Sequence, residues 1–193
     1  MLGIFQNSRQ LPPDRTGLTQ SLEQTVMRKD VVLRPAAPDE YGQLRQLAET
    51  IWPVCYKDIL SAEQIDYMMD MMYSEEVIAG EVAAGVHYSF VETDGGIAGY
   101  LAWGPYSAGG TAKLHKLYLL PEKHGMGIGS CAIDLVKQAA CSSGYTRLRL
   151  NVNRQNSSAI KCYTNNNFTV VQQEDNDIGN GFFMTDYVME AEL

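Results

Sequence analysis

Metal-binding residues are scarce in this sequence. Its 193 residues include four cysteines and three histidines, with no Cys-x-x-Cys pair and no histidines at the spacing of a zinc site. The cysteines lie far apart, so we expect buried thiols in a reducing compartment rather than disulfides. The sequence therefore predicts no metal cofactor.

Long hydrophobic runs are also absent. No apolar run approaches the ~20 residues of a membrane-spanning helix. The first residues, MLGIFQNSRQLPPDR, lack the basic flank and apolar stretch of a secretory signal. These two observations predict a cytoplasmic protein without a membrane partner.

Basic residues are outnumbered by acidic ones. The chain has 15 Lys and Arg residues against 23 Asp and Glu residues, a formal net charge of −8. Nucleic-acid binding depends on basic surfaces, so this balance argues against a nucleic-acid partner. The negative charge is compatible with a cationic small-molecule substrate. The alternative is that it only keeps the protein soluble, as in most acidic proteins.

The composition fits one domain with a tail. The chain is 45% hydrophobic and 20% charged, which excludes a wholly disordered protein. Residues 1–29 are polar and contain Pro12 and Pro13, so we predict an N-terminal tail with a short helix near residues 20–27. Residues 30–193 are predicted to form the folded domain. Met27 directly precedes the first strand-like run and is an alternative natural start.

Hydrophobic periodicity divides the domain into helices and strands. Ser61 and Gln64 predict a capping box, Asp94–Gly96 predicts a hairpin turn, and Pro53 is expected to end the first helix. The fold class is mixed α/β, with helices on both faces of a sheet. We predict helices over 39–53, 61–72, 130–142 and 157–166, a weaker helix over 75–85, and strands over 31–36, 88–92, 97–103, 112–120, 146–152, 168–171 and 183–190.

The glycine-rich turn between a predicted strand and helix carries the most functional information. Gly125, Gly127 and Gly129 alternate in this turn. Glycine tolerates positive φ and lets successive backbone N–H groups converge, and a helix N-terminus adds positive potential, so the turn suits a pyrophosphate. The spacing is neither that of a Rossmann loop nor that of a Walker A loop. A flexible turn without a ligand is the alternative.

Two motifs resemble those of the GNAT N-acetyltransferase superfamily. The stretch 119–129 is similar to the family's acyl-CoA loop, Gln/Arg-x-x-Gly-x-Gly/Ala, with His124 at the Gln/Arg position. The stretch 156–168 is similar to the family's Asn-x-x-Ala-x-x-x-Tyr-x-x-x-Gly-Phe, with Asn167 at the glycine position. Asparagine is the next best residue at a left-handed helix end. The resemblance covers residues 30–193.

The resemblance implies a fold and a cosubstrate. In the GNAT fold, a mixed and mostly antiparallel sheet of about seven strands contains a splayed strand pair that holds acyl-CoA. Acetyl-CoA would be the acyl donor, the backbone of Leu117 and Leu119 would pair with its pantetheine arm, and Asn156 would contact that arm or cap a helix. The pyrophosphate would lie on the turn and the helix start, at His124, Gly125, Met126, Gly127, Ile128, Gly129 and Ser130.

The resemblance also implies catalytic roles. Tyr163 matches the family's general acid, which protonates the departing CoA thiolate; the alternative is a tyrosine that only packs. His115 stands two residues before Leu117, which predicts the same strand face, and is the candidate general base. The alternative is a half-buried strand histidine without a catalytic role. Glu92 and Glu49 are weaker candidates for the base.

The acceptor pocket is expected between the first two helices and the last strands. Trp52, Tyr56 and Tyr67 lie in these segments and could contact an alkyl-ammonium group through cation–π interactions. Their alternative role is packing in the core. The ending 181–189 is similar to that of bacterial polyamine acetyltransferases within the family.

Together these features predict an acetyl-CoA-dependent N-acetyltransferase. The expected acceptor is a small primary amine or polyamine, which attacks the thioester directly in a ternary complex. A peptide or protein N-terminus is the alternative acceptor, and a CoA-binding sensor without transfer activity is the alternative function. Many members of the family are dimers, so a homodimer is compatible with the resemblance.

Overall fold

The computed structural model describes residues 31–107 and 110–193. The predicted tail over 1–29, its short helix and the alternative start at Met27 lie outside these residues. The described helices, α1 to α5, are Tyr41–Cys55, Ala62–Met72, Glu75–Ala83, Ile128–Ser142 and Ser157–Asn165. The described strands, β1 to β7, are Val32–Pro35, His87–Thr93, Gly96–Ser107, Thr111–Leu119, Arg147–Asn153, Thr169–Gly179 and Phe182–Glu192.

The strands form one sheet in the order β1-β2-β3-β4-β5-β7-β6. Neighbours pair antiparallel except β4 and β5, which are parallel. A parallel pair needs a crossover connection, and α4 supplies it between β4 and β5. The predicted mixed, mostly antiparallel sheet is confirmed.

Helices cover both faces of the sheet with two apolar clusters. On one face α4 and α5 pack against the strands, and on the other α1, α2 and α3 do so. Burying an aliphatic side chain of this kind contributes roughly 1.5–3 kcal/mol, so these clusters hold the helices on the sheet. Fully buried members include Ile133, Val136 and Leu148 in the first cluster and Leu44, Ile51 and Met68 in the second.

The parallel strands β4 and β5 pair over only part of their length. Their pairing begins at Thr111 with Arg147 and ends at Leu114 with Leu150. Both strands continue, β4 to Leu119 and β5 to Asn153. The predicted splayed strand pair is therefore present.

A β-bulge lies in β4 where this pairing ends. Against β3, Lys116 pairs with Ala102 while Leu114 pairs with Trp103, so His115 is the extra residue. A bulge bends its strand and increases the local twist. The bend accounts for the parting of β4 from β5.

The bulge also shifts the in–out alternation of β4. Ala112 and Leu114 before it, and Leu117 and Leu119 after it, belong to the same apolar cluster. Strict alternation would instead put Leu114 and Leu117 on opposite faces, so the extra residue His115 is what returns both to one cluster. The shared face of His115 and Leu117 stays a prediction. A period-2 pattern cannot be extended through a bulge, because the extra residue changes the parity.

Left-handed residues end two helices as predicted. Asn167 follows α5 with φ 63°, and the Phe168 N–H donates to the Tyr163 carbonyl at 3.1 Å. This is a Schellman end, in which the left-handed residue turns the chain back so that late carbonyls find donors. Gly144 ends α4 in the same way, with φ 86°.

Two element boundaries differ from prediction. Pro53 lies inside the last turn of α1 rather than ending it. Proline has no backbone N–H, so Pro53 cannot donate a hydrogen bond to the Glu49 carbonyl. Both residues are exposed, so water can supply that hydrogen bond instead. Strand β6 extends to Gly179, far beyond the predicted 168–171, because this edge strand is exposed along almost its whole length and shows no apolar alternation.

We expect Asn167→Ala to destabilise the protein by about 1–2 kcal/mol, because alanine resists the left-handed conformation. Asn167→Gly should retain the stability of the natural sequence, since glycine adopts positive φ freely. Urea unfolding followed by circular dichroism measures both variants. Equal stability of the two variants would contradict the structural role given to Asn167.

Candidate active site

A cleft of about 950 Å³ opens where β4 and β5 part. One end is formed by the glycine-rich turn and the start of α4, where Gly127 and Ser130 line it. Tyr163 on α5 lines its middle part, and Trp52 on α1 lines it from the opposite face of the sheet. The cleft thus joins the two faces through the gap between the strands.

The glycine-rich turn presents a cradle of backbone N–H groups. Gly125 and Gly127 have φ of 74° and 79°, and a Cβ at either would meet no atom within 4 Å. No side chain caps α4, and the first backbone bond of the helix is donated by Cys131 to Gly127. The N–H groups at residues 128–130 are therefore available to an anion at the positive end of the helix.

His124 does not extend over this cradle. Its Nε2 lies 3.0 Å from the Leu119 carbonyl at the end of β4. A carbonyl only accepts, so Nε2 carries the proton in this contact. The His124 side chain therefore bonds the turn to β4. The backbone N–H groups of the turn are the donors that remain for an anion.

The other predicted cofactor residues lie mainly along the cleft. Asn156 caps α5, where its side chain accepts a hydrogen bond from the Ala159 N–H at 3.1 Å. Met126 is half exposed and lies outside the lining. The lining includes Leu117, Leu119, His124, Gly125, Gly127, Ile128, Gly129, Ser130 and Asn156.

Tyr163 is buried on α5 and packs edge-on against Phe168, with ring centroids 5.8 Å apart. Burial, with smaller effects of Cys162 and Tyr56, raises the pKa of Tyr163 well above its ordinary value. The phenol therefore keeps its proton at neutral pH. It can act as a proton donor but not as a base.

His115 lies at the bulge with a buried Nε2 that has no hydrogen-bond partner among the described residues. Burial, together with the positive charges of Lys113 and Lys116, lowers the pKa of His115 to about 4. The imidazole is therefore neutral across the physiological pH range. His115 is one of the residues that line the cleft.

A buried ion pair lies beside the bulge. Lys116 is 8% exposed, and its Nζ donates to Glu81 at 2.9 Å and to the Tyr88 hydroxyl at 2.6 Å. Burial alone would raise the pKa of Glu81, but the Lys116 charge and the hydrogen bonds from Tyr88 and Lys116 hold it below its ordinary value. The charge of Glu81 is thus compensated within the protein.

Aromatic residues form the far wall of the cleft. Trp52 lies 5.3 Å from Tyr56 and 5.4 Å from Tyr118 between ring centroids, and the Tyr56 and Tyr118 hydroxyls are 3.1 Å apart. Tyr67 does not line the cleft. Its hydroxyl donates to the Ile178 carbonyl at 2.6 Å and supports the end of β6.

One carboxylate in the cleft was not predicted from the sequence. Asp186 on β7 is 5% exposed, lines the cleft, and has an Oδ1 without a hydrogen-bond partner among the described residues. Its sequence signal was a single charge within the apolar run 182–189. The register places it opposite Asn153, in the part of β5 that has left β4.

A family model described as "Acetyltransferase (GNAT) family" matches residues 42–168, more than half of the chain. The chain belongs to the GNAT acetyltransferase family. Acetyl transfer from acetyl-CoA is therefore its chemistry, and the predicted loop and cosubstrate agree with this membership.

Known relatives agree with the family. The spermidine N(1)-acetyltransferase of Thermoplasma acidophilum is 26% identical over 159 residues, 80% of this chain and 95% of that protein. The PaiA N-acetyltransferase from the same organism, solved in complex with coenzyme A, matches with TM-score 0.71 and 25% identity, over 84% of this chain and 99% of that one. The ribosomal-protein-S18-alanine N-acetyltransferase from Escherichia coli shares the fold, with TM-score 0.62, 13% identity and coverage of 84% and 93%.

Residues 31–107 and 110–193 lack two other kinds of site. No group of three or more His, Cys, Asp or Glu side chains there could hold a metal ion. No helix in the same residues is both long and apolar enough to span a bilayer.

We expect Gly127→Ala to weaken CoA binding by about tenfold or more, since the methyl group enters the cradle and strains a left-handed residue. Gly144→Ala is the matched control, because Gly144 also has positive φ and open space at Cβ but ends the same helix far from the turn. Thermal shift with and without CoA measures both variants. Loss of the CoA-induced shift in Gly127→Ala alone is expected; equal shifts in both would exclude the cradle.

Proposed function

We propose that this GNAT acetyltransferase moves the acetyl group of acetyl-CoA to a small primary amine, with a polyamine as the favoured acceptor. The observation that carries the proposal is the cleft itself, which has an anion-binding turn at one end and a buried carboxylate beside aromatic rings at the other. An alkyl-ammonium group fits the second end by charge and by cation–π contact. The similarity to a spermidine acetyltransferase supports the same substrate class.

The donor site follows from the backbone of the turn and of β4. We propose that the N–H groups of residues 125–130 bind the pyrophosphate and that Leu117 and Leu119 offer their backbone to the pantetheine arm. Beyond Leu114, β4 has no partner on the β5 side, so its polar backbone there can bond a ligand. Acetyl-CoA, when bound, supplies the activated thioester.

Tyr163 is our candidate for the general acid. It lines the cleft together with the glycine-rich turn and the aromatic residues Trp52 and Tyr56, and its raised pKa keeps the phenol protonated at neutral pH. Tyr163 would give up its proton to the departing CoA sulfur as the C–S bond breaks. A CoA thiolate is a weaker base than this phenolate, so the proton would pass only in concert with cleavage of the C–S bond, and water would then return a proton to the phenolate.

His115 fits a more limited role than that of a base poised at neutral pH. Its pKa of about 4 means that it does not hold a proton between turnovers. We propose that Nε2 accepts a hydrogen bond from the attacking amine or from a water beside it. A neutral amine would then attack the thioester carbonyl directly, without an acyl-enzyme intermediate, and the proton that its nitrogen loses would leave through this hydrogen bond to water.

The setting of the reaction is also part of the proposal. The wide spacing of the cysteines along the chain supports a reducing, cytoplasmic environment. Trp52 and Tyr56 are the proposed aromatic contacts of the acceptor. Tyr67 is not part of the proposed site, because it lies outside the cleft and its hydroxyl is bonded to Ile178.

The substrate proposal is tested by thiol release from acetyl-CoA across a panel of spermidine, spermine, small monoamines, amino acids and short peptides. We expect polyamines to give the highest kcat/KM, because they carry several alkyl-ammonium groups. A preference for peptides would reassign the enzyme to N-terminal acetylation. A thermal shift with CoA but no turnover on any amine would favour a CoA sensor.

Tyr163→Phe should lower kcat by roughly a hundredfold, the low end of what a general acid contributes. The CoA-induced thermal shift should stay unchanged, since the hydroxyl is not assigned to CoA affinity. Tyr106→Phe, at an exposed tyrosine outside the cleft, is the control. Turnover by Tyr163→Phe that matches this control at every pH would refute the acid assignment.

A further inference from the structure

We propose that Asp186 is the residue that binds the ammonium group of the acceptor. The inference rests on the proposed amine substrate and goes further, because it assigns the recognition of that amine to one carboxylate on β7.

The position of Asp186 is the first argument. β7 places it opposite Asn153 on one side and Glu174 on β6 on the other. Asn153 belongs to the part of β5 that has parted from β4, so Asp186 faces the opened region and lines the same cleft as Tyr163. A ligand group beside Asp186 would lie within the space that the thioester end of the donor also enters.

Its unmet bonding capacity is the second argument. Asp186 is 5% exposed, and its Oδ1 has no hydrogen-bond partner among the described residues. Buried polar atoms almost always have a hydrogen-bond partner, because an unpaired one loses its bonds to water without replacement. An orphaned carboxylate oxygen in a substrate cleft indicates a partner that arrives with the ligand.

The contrast with nearby carboxylates is the third argument. Glu81 is paired with Lys116 at 2.9 Å, and Glu174 with Arg149 at 3.5 Å. Within the described residues, no Lys, Arg or His nitrogen lies within ion-pair distance of Asp186. Two partly buried acids nearby are thus paired within the protein, whereas the buried Asp186 is not.

The groups around Asp186 affect its pKa in a way that suits a cationic ligand. Burial raises the pKa of Asp186, and the charge of Glu174 on β6 raises it further. Three groups lower this pKa: a hydrogen bond from Asn151 on β5, and the charges of Lys113 on β4 and of Arg154 after β5. Compared with a free aspartate, the folded protein therefore shifts Asp186 toward the neutral acid. An ammonium ion would favour the carboxylate, so binding should release a proton in the acid range.

The wall facing Asp186 suits the same ligand. Burial raises the pKa of Tyr56 to about 12, and the charge of Asp186 contributes to that rise, so the two side chains are electrostatic neighbours. Tyr56 and Trp52 thus present aromatic surface near the carboxylate. Carboxylate on one side and aromatic rings on the other form a site for an alkyl-ammonium group.

The main test compares Asp186→Asn with Asp175→Asn, measured as KM and kcat for spermidine and for a monoamine at saturating acetyl-CoA. Asp175 is an exposed carboxylate on the neighbouring strand, bonded to Arg154 and outside the cleft. We expect KM to rise about tenfold or more in Asp186→Asn only, with a smaller change in kcat. An unchanged KM would overturn the proposal while the amine activity itself stands.

The pH dependence of stability gives a second readout. Because the folded state favours neutral Asp186, its ionisation destabilises the fold above its raised pKa, and this cost disappears below the ordinary Asp pKa of 3.8. Asp186→Asn should therefore have a higher Tm than the natural sequence near pH 8, with a difference that shrinks toward acid pH. A Tm that falls at pH 8 would assign Asp186 a structural role and overturn the proposal.

Two further controls separate this inference from the proposed function. If the natural protein acetylates no amine, the substrate class is wrong, whatever the variants do. If Asp186→Asn does not fold, Asp186→Ser, a smaller polar variant, is measured in the same way. Failure of both to fold would show that Asp186 supports the sheet, and the proposal would be withdrawn.

Discussion

The parting of β4 from β5 is the constraint on which the rest of the site depends. Two neighbouring strands would normally satisfy each other along their full length, and here they stop at Leu114 and Leu150. The bulge at His115 bends β4 away. Backbone groups beyond that point need partners, and a substrate arm can supply them. The cleft, its lining and its access from both faces of the sheet all follow from this one irregularity.

The donor end shows how an acidic protein can bind an anion. With a net charge of −8, the chain has few basic side chains to spare, and His124, at the family's Gln/Arg position, is bonded to Leu119 instead. In the proposed site, uncapped N–H groups of α4 and of the turn before it bind the anion instead. Backbone dipoles add no net charge, so the same molecule can keep an overall field that attracts cations.

Asp186 differs from several other acidic residues of the sheet in that it has no basic partner among the described residues. The acids around Arg149, Arg154 and Lys116 are paired, which spares the sheet the cost of isolated buried charges. Asp186 departs from this pattern. His115 and Tyr163 line the same cleft, and burial and neighbouring charges displace the pKa values of all three groups.

Local sequence determined the parts of this protein that depend on neighbouring residues. The glycine turn, the Schellman end at Asn167, the mixed sheet and the acyl-CoA motif were all predicted, because each is encoded by adjacent residues or by periodicity. Tertiary structure alone decided the rest. The strand pairing created the bulge at His115, extended the exposed strand β6, and carried Asp186 into the cleft from a distant segment. Desolvation and the neighbouring charges, which depend on how distant segments pack, then set the protonation of these groups.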